Sequence, residues 1–178
     1  RSSDWSSDVC SSDLLERNAI RKNEEVLEIL LNVLSSSVGS LTNPSKLSNT
    51  FDSERHISIS PGTIDNYIGF FRNAYLIDRA ERYDVKGRKY IKTPLKYYYT
   101  DPGRRNARLG FRQIEEKHLM ENVRYNDLVR RGYDVDVGVV EVNTTSEDGR
   151  NVRKQLEVDV VVNRGDERYY IQSAYAIP

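Results

Sequence analysis

The chain has 178 residues, of which 27 are Lys or Arg and 27 are Asp or Glu, so its formal net charge at pH 7 is zero. A neutral chain has no overall electrostatic attraction to nucleic acid or to an anionic membrane, and any such attraction must be local. No apolar run is long enough to span a bilayer, and no basic-then-apolar signal opens the chain. These features predict a cytoplasmic protein of one ordinary domain or two small ones.

The first fourteen residues differ from the rest of the chain. The tripeptide Ser-Ser-Asp occurs three times within residues 1–14, a segment with almost no apolar content. We interpret it as the in-frame translation of a sequencing adapter, which Asp8 to Leu14 resembles, or else as a disordered polar tail. The single cysteine, Cys10, lies in this segment. Without that segment the chain has no thiol chemistry and no Cys-ligated zinc.

Residues 15–96 are predicted to form a winged-helix-like domain. Apolar residues at helical spacing indicate a first helix, and Asn43 and Ser60 are suited to cap two more because a proline follows each. Two strands then flank a polar turn that contains Gly87. The predicted elements are helices over 24–34, from Pro44 and from Pro61, and strands over 75–83 and 90–93. Three helices followed by a hairpin indicate a winged helix.

Many winged helices bind DNA, so the charges of this region matter. The exposed side of the third helix offsets Arg72 with Asp65 and is a poor reader of phosphates. The hairpin is more basic and would be able to follow a phosphate backbone. Its candidate nucleic-acid-binding residues are Arg79, Arg82, Lys86, Arg88, Lys89 and Lys92, with Lys96 nearby. The alternative is an ordinary solvated hairpin or a surface for another protein domain.

Residues 97–178 are predicted to form an α/β unit. A helix is expected over about 115–130, then a central strand over 133–142, then a hairpin whose second strand carries Gln172 beside Asp159. Regular alternation along the first hairpin strand would place Glu157 and Asp159 on one face and the valines at 158, 160 and 162 on the other. The valine face is expected to be buried.

This α/β unit resembles a restriction-endonuclease-like domain of the PD-(D/E)XK type that is truncated at its C-terminus. Glu121 on the helix, Asp159 on the middle strand and Gln172 on the next strand match, in order and context, the acid or amide positions of that architecture. Glu121, Asp159 and Glu157 are therefore candidate ligands of Mg²⁺, which prefers carboxylate oxygens with waters and substrate phosphate. Glu121, Asp159 and Gln172 are also the candidate catalytic residues, and the alternative for Glu121 is a structural ion pair with Arg124 or another neighbour.

The lysine of that architecture is missing. Ala174 stands two residues after Gln172, where a catalytic enzyme of this type carries lysine. Alanine cannot hold a nucleophilic water or stabilise charge on a phosphorane. Lys154 is a substitute only if a bulge turns it to the face of Asp159. His56 and His118 are each isolated in their segments, which favours a surface or packing role over metal binding.

Several short motifs carry a resemblance to a known family. They are Leu15 to Asn18, Gly39 to Pro44, Leu47 to Phe51, Arg82 to Gly87, Arg105 to Leu109, His118 to Asn122, Glu157 to Asp159 and Tyr170 to Ala174. Over Leu15 to Pro178 the chain resembles the C-terminal half of bacterial AAA-type ATP-binding proteins with the domain of unknown function 4143. The resemblance implies a P-loop ATPase domain, then a winged helix, then a nuclease-like domain. This chain has no P-loop, so ATP is implied only for a domain before Leu15, and the chain is expected to be a fragment at both ends.

Two functions follow as hypotheses. The first is a binding and regulatory region of an AAA-type ATPase, in which an inactive nuclease-like site contacts nucleic acid or protein. The alternative is a metal-dependent nuclease that acts on DNA and uses Glu121, Asp159 and Gln172 to hold Mg²⁺ while water attacks a phosphodiester. The missing lysine favours the first hypothesis. Neither implies a cofactor other than Mg²⁺ for these residues, and neither implies a membrane partner.

Overall fold

The computed structural model describes residues 24–112, 115–145 and 151–172. Over these residues the chain is an α+β fold with five helices and one mixed five-stranded sheet. The helices are α1 (Glu24–Ser36), α2 (Pro44–Arg55), α3 (Pro61–Asn73), α4 (Pro102–Arg108) and α5 (Glu116–Arg130). The strands are β1 (Ile77–Asp84), β2 (Lys89–Tyr99), β3 (Asp134–Thr145), β4 (Asn151–Arg164) and β5 (Glu167–Ile171). The predicted adapter or tail, residues 1–14, and Ala174 lie outside the described residues.

The starts of α2 and α3 confirm the predicted caps. The side chain of Asn43 accepts a hydrogen bond from the backbone N–H of Lys46 at 2.7 Å. The hydroxyl of Ser60 accepts one from the N–H of Thr63 at 3.1 Å. A proline occupies the first helical turn in both helices, where its missing N–H costs nothing. Local chemistry therefore determines where these two helices begin.

The strands form a single sheet in the order β2-β1-β3-β4-β5. β1 and β3 are parallel, and every other neighbouring pair is antiparallel. A winged helix followed by a nuclease-like domain is not confirmed by this arrangement. The predicted boundary after Lys96 lies inside β2, and the predicted wing strand β1 pairs directly with β3. The helical part and the β3–β5 meander are therefore joined through one sheet.

The core lies between the helices and this sheet. Leu30, Phe51 and Ile64, from α1, α2 and α3, are each completely buried. The segment between α1 and α2 also pairs with the sheet, because Thr42 and Leu95 exchange backbone hydrogen bonds of 2.9 and 2.8 Å. No helix among the described residues combines the length and the apolar character that a membrane crossing requires.

A β-bulge interrupts the regular alternation predicted for β4. Asp136 pairs with Val161 but Gly138 pairs with Val158, so β4 has one more residue than β3 between these two pairs. A Cβ added to Gly138 would lie 2.8 Å from side-chain atoms of both Val158 and Val161. Val158 and Val161 therefore point to the same face of β4, although positions three apart in a regular strand point to opposite faces. The predicted separation of β4 into a carboxylate face and a valine face is therefore wrong. The bulge also explains how Val160 enters the core while Glu157 reaches α5 through Lys96.

The bulge gives a test with a matched control. Gly138→Ala should lower the free energy of unfolding by about 1–3 kcal/mol, because the new methyl group would overlap two valine side chains. Gly69→Ala in α3 should raise it by about 0.5–1 kcal/mol, because nothing lies within 4 Å of the added Cβ and alanine is the better helix former. Urea denaturation followed by circular dichroism measures both changes. Equal stability of the Gly138→Ala variant and the wild type would contradict the bulge geometry.

Candidate functional site

A lysine buried between two glutamates is the centre of the candidate site. The Nζ atom of Lys96 lies 2.8 Å from Oε1 of Glu121 and 2.6 Å from Oε1 of Glu157. The side chains of Lys96 and Glu121 are 4% and 6% exposed, whereas that of Glu157 is 36% exposed. These residues, named the Lys96 triad below, come from β2, α5 and β4. A buried charge requires such partners, so the triad ties these three elements together.

Tyr98 adds a hydrogen bond to the triad. It lies two residues after Lys96 on β2, so both side chains are on the same face. Its hydroxyl donates to Oε1 of Glu121 at 2.5 Å, and its ring stacks on that of Tyr125 with centroids 4.3 Å apart. Burial, followed by the negative charge of Glu121, raises the pKa of Tyr98 far above its ordinary range. The hydroxyl therefore remains a donor at physiological pH.

The ammonium of Lys96 stays charged. Burial favours the neutral amine, but the charges and hydrogen bonds of Glu121 and Glu157 outweigh it, so the pKa of Lys96 is raised above its ordinary value. The stability that this interaction provides is fully present below the ordinary pKa of lysine and is lost as the pH rises through the raised value. The ammonium of Lys96 thus occupies the position between the two carboxylates that a bound metal ion would otherwise take.

Of the remaining predicted site residues, Asp159 lies on β4 and Gln172 directly follows β5. Val160 pairs with Ile171, and the backbone N–H of Asp159 lies 3.4 Å from Oε1 of Gln172. The predicted placement of Gln172 beside Asp159 is therefore confirmed. Asp159 is 8% exposed. Over residues 24–112, 115–145 and 151–172, no three His, Cys, Asp or Glu side chains are close enough to hold a metal ion.

Sequence reasoning did not identify Lys96 as a site residue. Lys96 follows several Lys and Arg residues, so the sequence predicts it as part of the basic hairpin. The available signal was local: Lys96 precedes the run Tyr97–Tyr99, and all three tyrosines are buried. A lysine two positions from a buried tyrosine on a strand faces the same side and needs a carboxylate partner.

The basic hairpin has fewer available cations than its sequence suggests. Arg82 is buried and lies 3.3 Å from the side-chain oxygen of Gln155. Arg79 pairs with Glu81 at 3.3 Å, and Nζ of Lys86 donates to a backbone carbonyl of β3 at 3.0 Å. The other residues of the predicted set, all exposed, are Arg88, Lys89 and Lys92. Half of the predicted phosphate-binding residues thus already have partners within the fold.

His118 lies beside the triad on α5. Its Nε2 atom is 3.4 Å from Oε2 of Glu115, one helical turn earlier. Its Nδ1 atom would lie 3.3 Å from a Cβ at Gly39, and Oε2 of Glu121 would lie 3.5 Å from the same point. Gly39 has a φ of 70°, so both its conformation and the close approach of these side chains favour glycine. His118 packs against the segment between α1 and α2.

A family model described as a domain of unknown function, DUF8612, matches residues 3–115. The chain belongs to this family. The predicted membership among AAA-type ATP-binding proteins with the domain of unknown function 4143 is therefore wrong. The DUF8612 match includes α1 to α4, β1 and β2, and with them Lys96, but it ends before Glu121 and Glu157.

Two curated relatives of this DUF8612 protein are uncharacterised. A protein of Haemophilus influenzae is 35% identical over 170 residues, which are 96% of this chain and 39% of the relative. A protein of Methanocaldococcus jannaschii is 27% identical over 165 residues, which are 93% of this chain and 34% of the relative. The chain thus spans between a third and two fifths of these relatives. No solved structure matches it significantly.

These matches also correct the predicted functional classes. Contrary to the predicted classes, neither the DUF8612 family nor either relative is described as an AAA protein, an ATP-binding protein or a DNA-binding protein. The prediction that the chain is a fragment of an AAA-type protein is wrong for the same reason.

The Lys96 triad gives a direct stability test. Lys96→Met removes the charge but retains most of the side-chain volume, so Glu121 becomes a buried carboxylate without its cation. We expect the free energy of unfolding to fall by about 3–5 kcal/mol at neutral pH. The loss should shrink as the pH is lowered, because an unpaired buried glutamate has a raised pKa and becomes neutral.

Lys92→Met is the matched control, because Lys92 is exposed on the same strand. It should change stability by less than about 0.5 kcal/mol. Chemical denaturation at several pH values compares the two variants. Equal stabilities of the two variants at neutral pH would show that the buried ion pair contributes nothing.

Proposed function

We propose that this chain is a metal-independent binding module with a nuclease-like scaffold, and that it binds another protein rather than cleaving phosphodiesters. The observation that carries the proposal is the ammonium of Lys96, within 2.8 Å of Glu121 and 2.6 Å of Glu157. These two carboxylates are two of the three predicted Mg²⁺ ligands, Glu121, Glu157 and Asp159, that a metal-dependent nuclease would need free for its ion.

The order of elements supports the nuclease-like part of the proposal. Glu121 lies on α5, Asp159 on the middle strand of the β3–β5 meander, and Gln172 directly after β5. This helix-strand-strand-strand order is the one expected for a restriction-endonuclease-like unit. Three helices and the β1–β2 hairpin precede it, as expected for a winged helix. In this proposal the scaffold is retained and its chemistry is lost.

Charge and geometry argue against a resident metal ion. Mg²⁺ requires near-octahedral oxygen ligands and gives up its waters reluctantly. To bind between Glu121 and Glu157, it would have to displace a buried ammonium that has a hydrogen bond to each of them. The displaced Lys96 would then be a buried cation without a partner, which is costly. The side-chain oxygen of Gln172 is directed at the backbone N–H of Asp159.

Exposed apolar groups support a protein as the partner. Tyr169 and Tyr170 on β5 are 47% and 52% exposed, and Val152 and Leu156 on β4 are 45% and 44% exposed. Tyrosine is enriched at protein interfaces because its ring buries a large area while its hydroxyl stays hydrogen-bonded. The zero net charge and the partnered hairpin cations provide no comparable attraction for a polyanion.

Metal binding and cleavage are tested together. The protein is incubated with Mg²⁺ or Mn²⁺ and with labelled single- and double-stranded DNA and RNA, and its melting temperature is measured with and without each ion. We expect no cleavage and no ion-dependent shift for the wild type. Lys96→Ala should gain a shift with Mn²⁺, because it leaves Glu121 and Glu157 without their cation, whereas Lys92→Ala should not. Metal-dependent cleavage by the wild type that Asp159→Ala abolishes would refute the proposal.

The protein partner is tested by quantitative capture from a cell lysate. The double variant Tyr169→Ser, Tyr170→Ser should lose proteins that the wild type retains. Tyr75→Ser is the control, because Tyr75 is 81% exposed but lies before β1, away from β5. It should retain the same proteins as the wild type. If the double variant and the control capture the same proteins in the same amounts, the exposed tyrosines of β5 do not form the interface.

A further inference from the structure

A polar cleft of about 390 Å³ lies apart from the Lys96 triad, and no triad residue lines it. Its walls come from β1, β2, β3, β4 and β5. Its charged and polar side chains are Arg79, Glu81, Tyr90, Asp134, Asp136, Asn163 and Arg168. We name it the Asp136 cleft. Its volume is within the range of small-molecule sites, roughly 300–1,000 Å³.

Asp136 is a buried carboxylate at this cleft, and only 7% of the residue is exposed. Its Oδ2 atom accepts hydrogen bonds from the hydroxyl of Tyr90 at 3.1 Å and from Nδ2 of Asn163 at 3.4 Å. Both donors are neutral. Among the residues that the structure describes, no Lys, Arg or His forms an ion pair with Asp136, and none donates a hydrogen bond to its Oδ1 atom.

The neighbouring cation, Arg168, is held away from Asp136 by other groups. Its Nε atom donates to Oδ1 of Asn163 at 2.6 Å, and its Nη1 atom donates to the hydroxyl of Tyr83 at 2.7 Å. Its guanidinium also lies 4.4 Å above the centroid of the Tyr83 ring. Asn163 therefore stands between the two charges and bonds to both. Arg168 forms a wall of the cleft, and its charge lowers the pKa of Asp136, but it forms no ion pair with Asp136.

The charge of Asp136 is therefore poorly compensated by the fold. Burial, the largest effect, raises the pKa of Asp136 above its ordinary value, although the hydrogen bond from Tyr90 acts in the opposite direction. Burial and the charge of Asp136 raise the pKa of Tyr90 to about 12, so Tyr90 remains a donor. The Lys96 triad has a cation in direct contact with its carboxylates, whereas Asp136 forms no ion pair among the described residues and is only partly offset by the more distant charge of Arg168.

We propose that the Asp136 cleft binds an organic cation, an ammonium or guanidinium group, which forms the ion pair with Asp136 that the fold itself does not provide. Asp134 in the cleft wall adds negative charge, whereas the charge of Glu81 is paired with that of Arg79 in the same wall. Tyr90 lines the cleft and is 54% exposed, and an aromatic ring beside the site adds attraction for a cation. A divalent metal ion fits less well, because no three metal-binding side chains converge among the described residues. This inference is independent of the proposed function.

The ammonium or guanidinium group has two possible sources. It belongs either to a free small molecule or to a Lys or Arg side chain of another protein. The experiment uses n-butylguanidinium as the free probe and a capped pentapeptide with one central arginine and four glycines as the protein-like probe. Their neutral counterparts are n-butylurea and the same peptide with citrulline in place of arginine. Binding to the folded protein is measured by amide chemical-shift titration.

The cationic probe should bind saturably and shift the amides of Asp136, Tyr90 and Asn163. Its neutral counterpart should bind at least about tenfold more weakly, because the charge-assisted hydrogen bond to a buried carboxylate is lost. Asp136→Asn keeps the shape and should weaken cation binding by at least about tenfold. Glu141→Gln, a carboxylate of β3 outside the cleft, should leave binding unchanged.

Tighter binding of the arginine peptide than of n-butylguanidinium would identify a protein side chain as the source, and comparable binding would identify a free small molecule. Equal binding of the charged and neutral probes would overturn the proposal, as would unchanged affinity in Asp136→Asn. Absence of binding by both cationic probes would overturn it too. If Asp136→Asn does not fold, the comparison of charged and neutral probes on the wild type decides alone.

Discussion

The hydrogen-bonded ammonium of Lys96 is the interaction on which the rest of the structure depends. It lies between Glu121 of α5 and Glu157 of β4, and it comes from β2 at the opposite edge of the sheet from β5. Because a buried charge is tolerated only with a partner, these three elements have to be correctly placed at the same time. The parallel pairing of β1 with β3 has a similar effect, since it joins strands that are more than fifty residues apart into one sheet.

Two buried carboxylate sites in this fold have different charge balance. At the Lys96 triad the cation belongs to the protein, so the two carboxylates are already paired. At the Asp136 cleft the guanidinium of Arg168 is directed to Asn163 and Tyr83, and that of Arg79 pairs with Glu81. The first arrangement favours stability, and the second favours binding, because an external cation can still gain an ion pair there.

Local features of the fold could be read from the sequence, and non-local ones could not. The starts of α2 and α3 follow from Asn43-Pro44 and Ser60-Pro61, whose capping chemistry needs only neighbouring residues. The position of Gln172 beside Asp159 follows from the short turn between β4 and β5. The bulge in β4 lies opposite Gly138 of β3, so the alternation of residues along β4 alone does not predict it. Glu121, the buried partner of Lys96, is on a helix 25 residues later in the chain, and no rule of sequence spacing connects the two residues.

The central claim is that an ammonium group replaces a metal ion between Glu121 and Glu157. It is tested most directly by soaking a crystal of the protein in Mn²⁺ and locating the ion by its anomalous scattering. The account predicts no anomalous peak between the two carboxylates, and Nζ of Lys96 within hydrogen-bond distance of both. A Mn²⁺ ion coordinated by Glu121 and Glu157, with the Lys96 side chain moved aside, would contradict it.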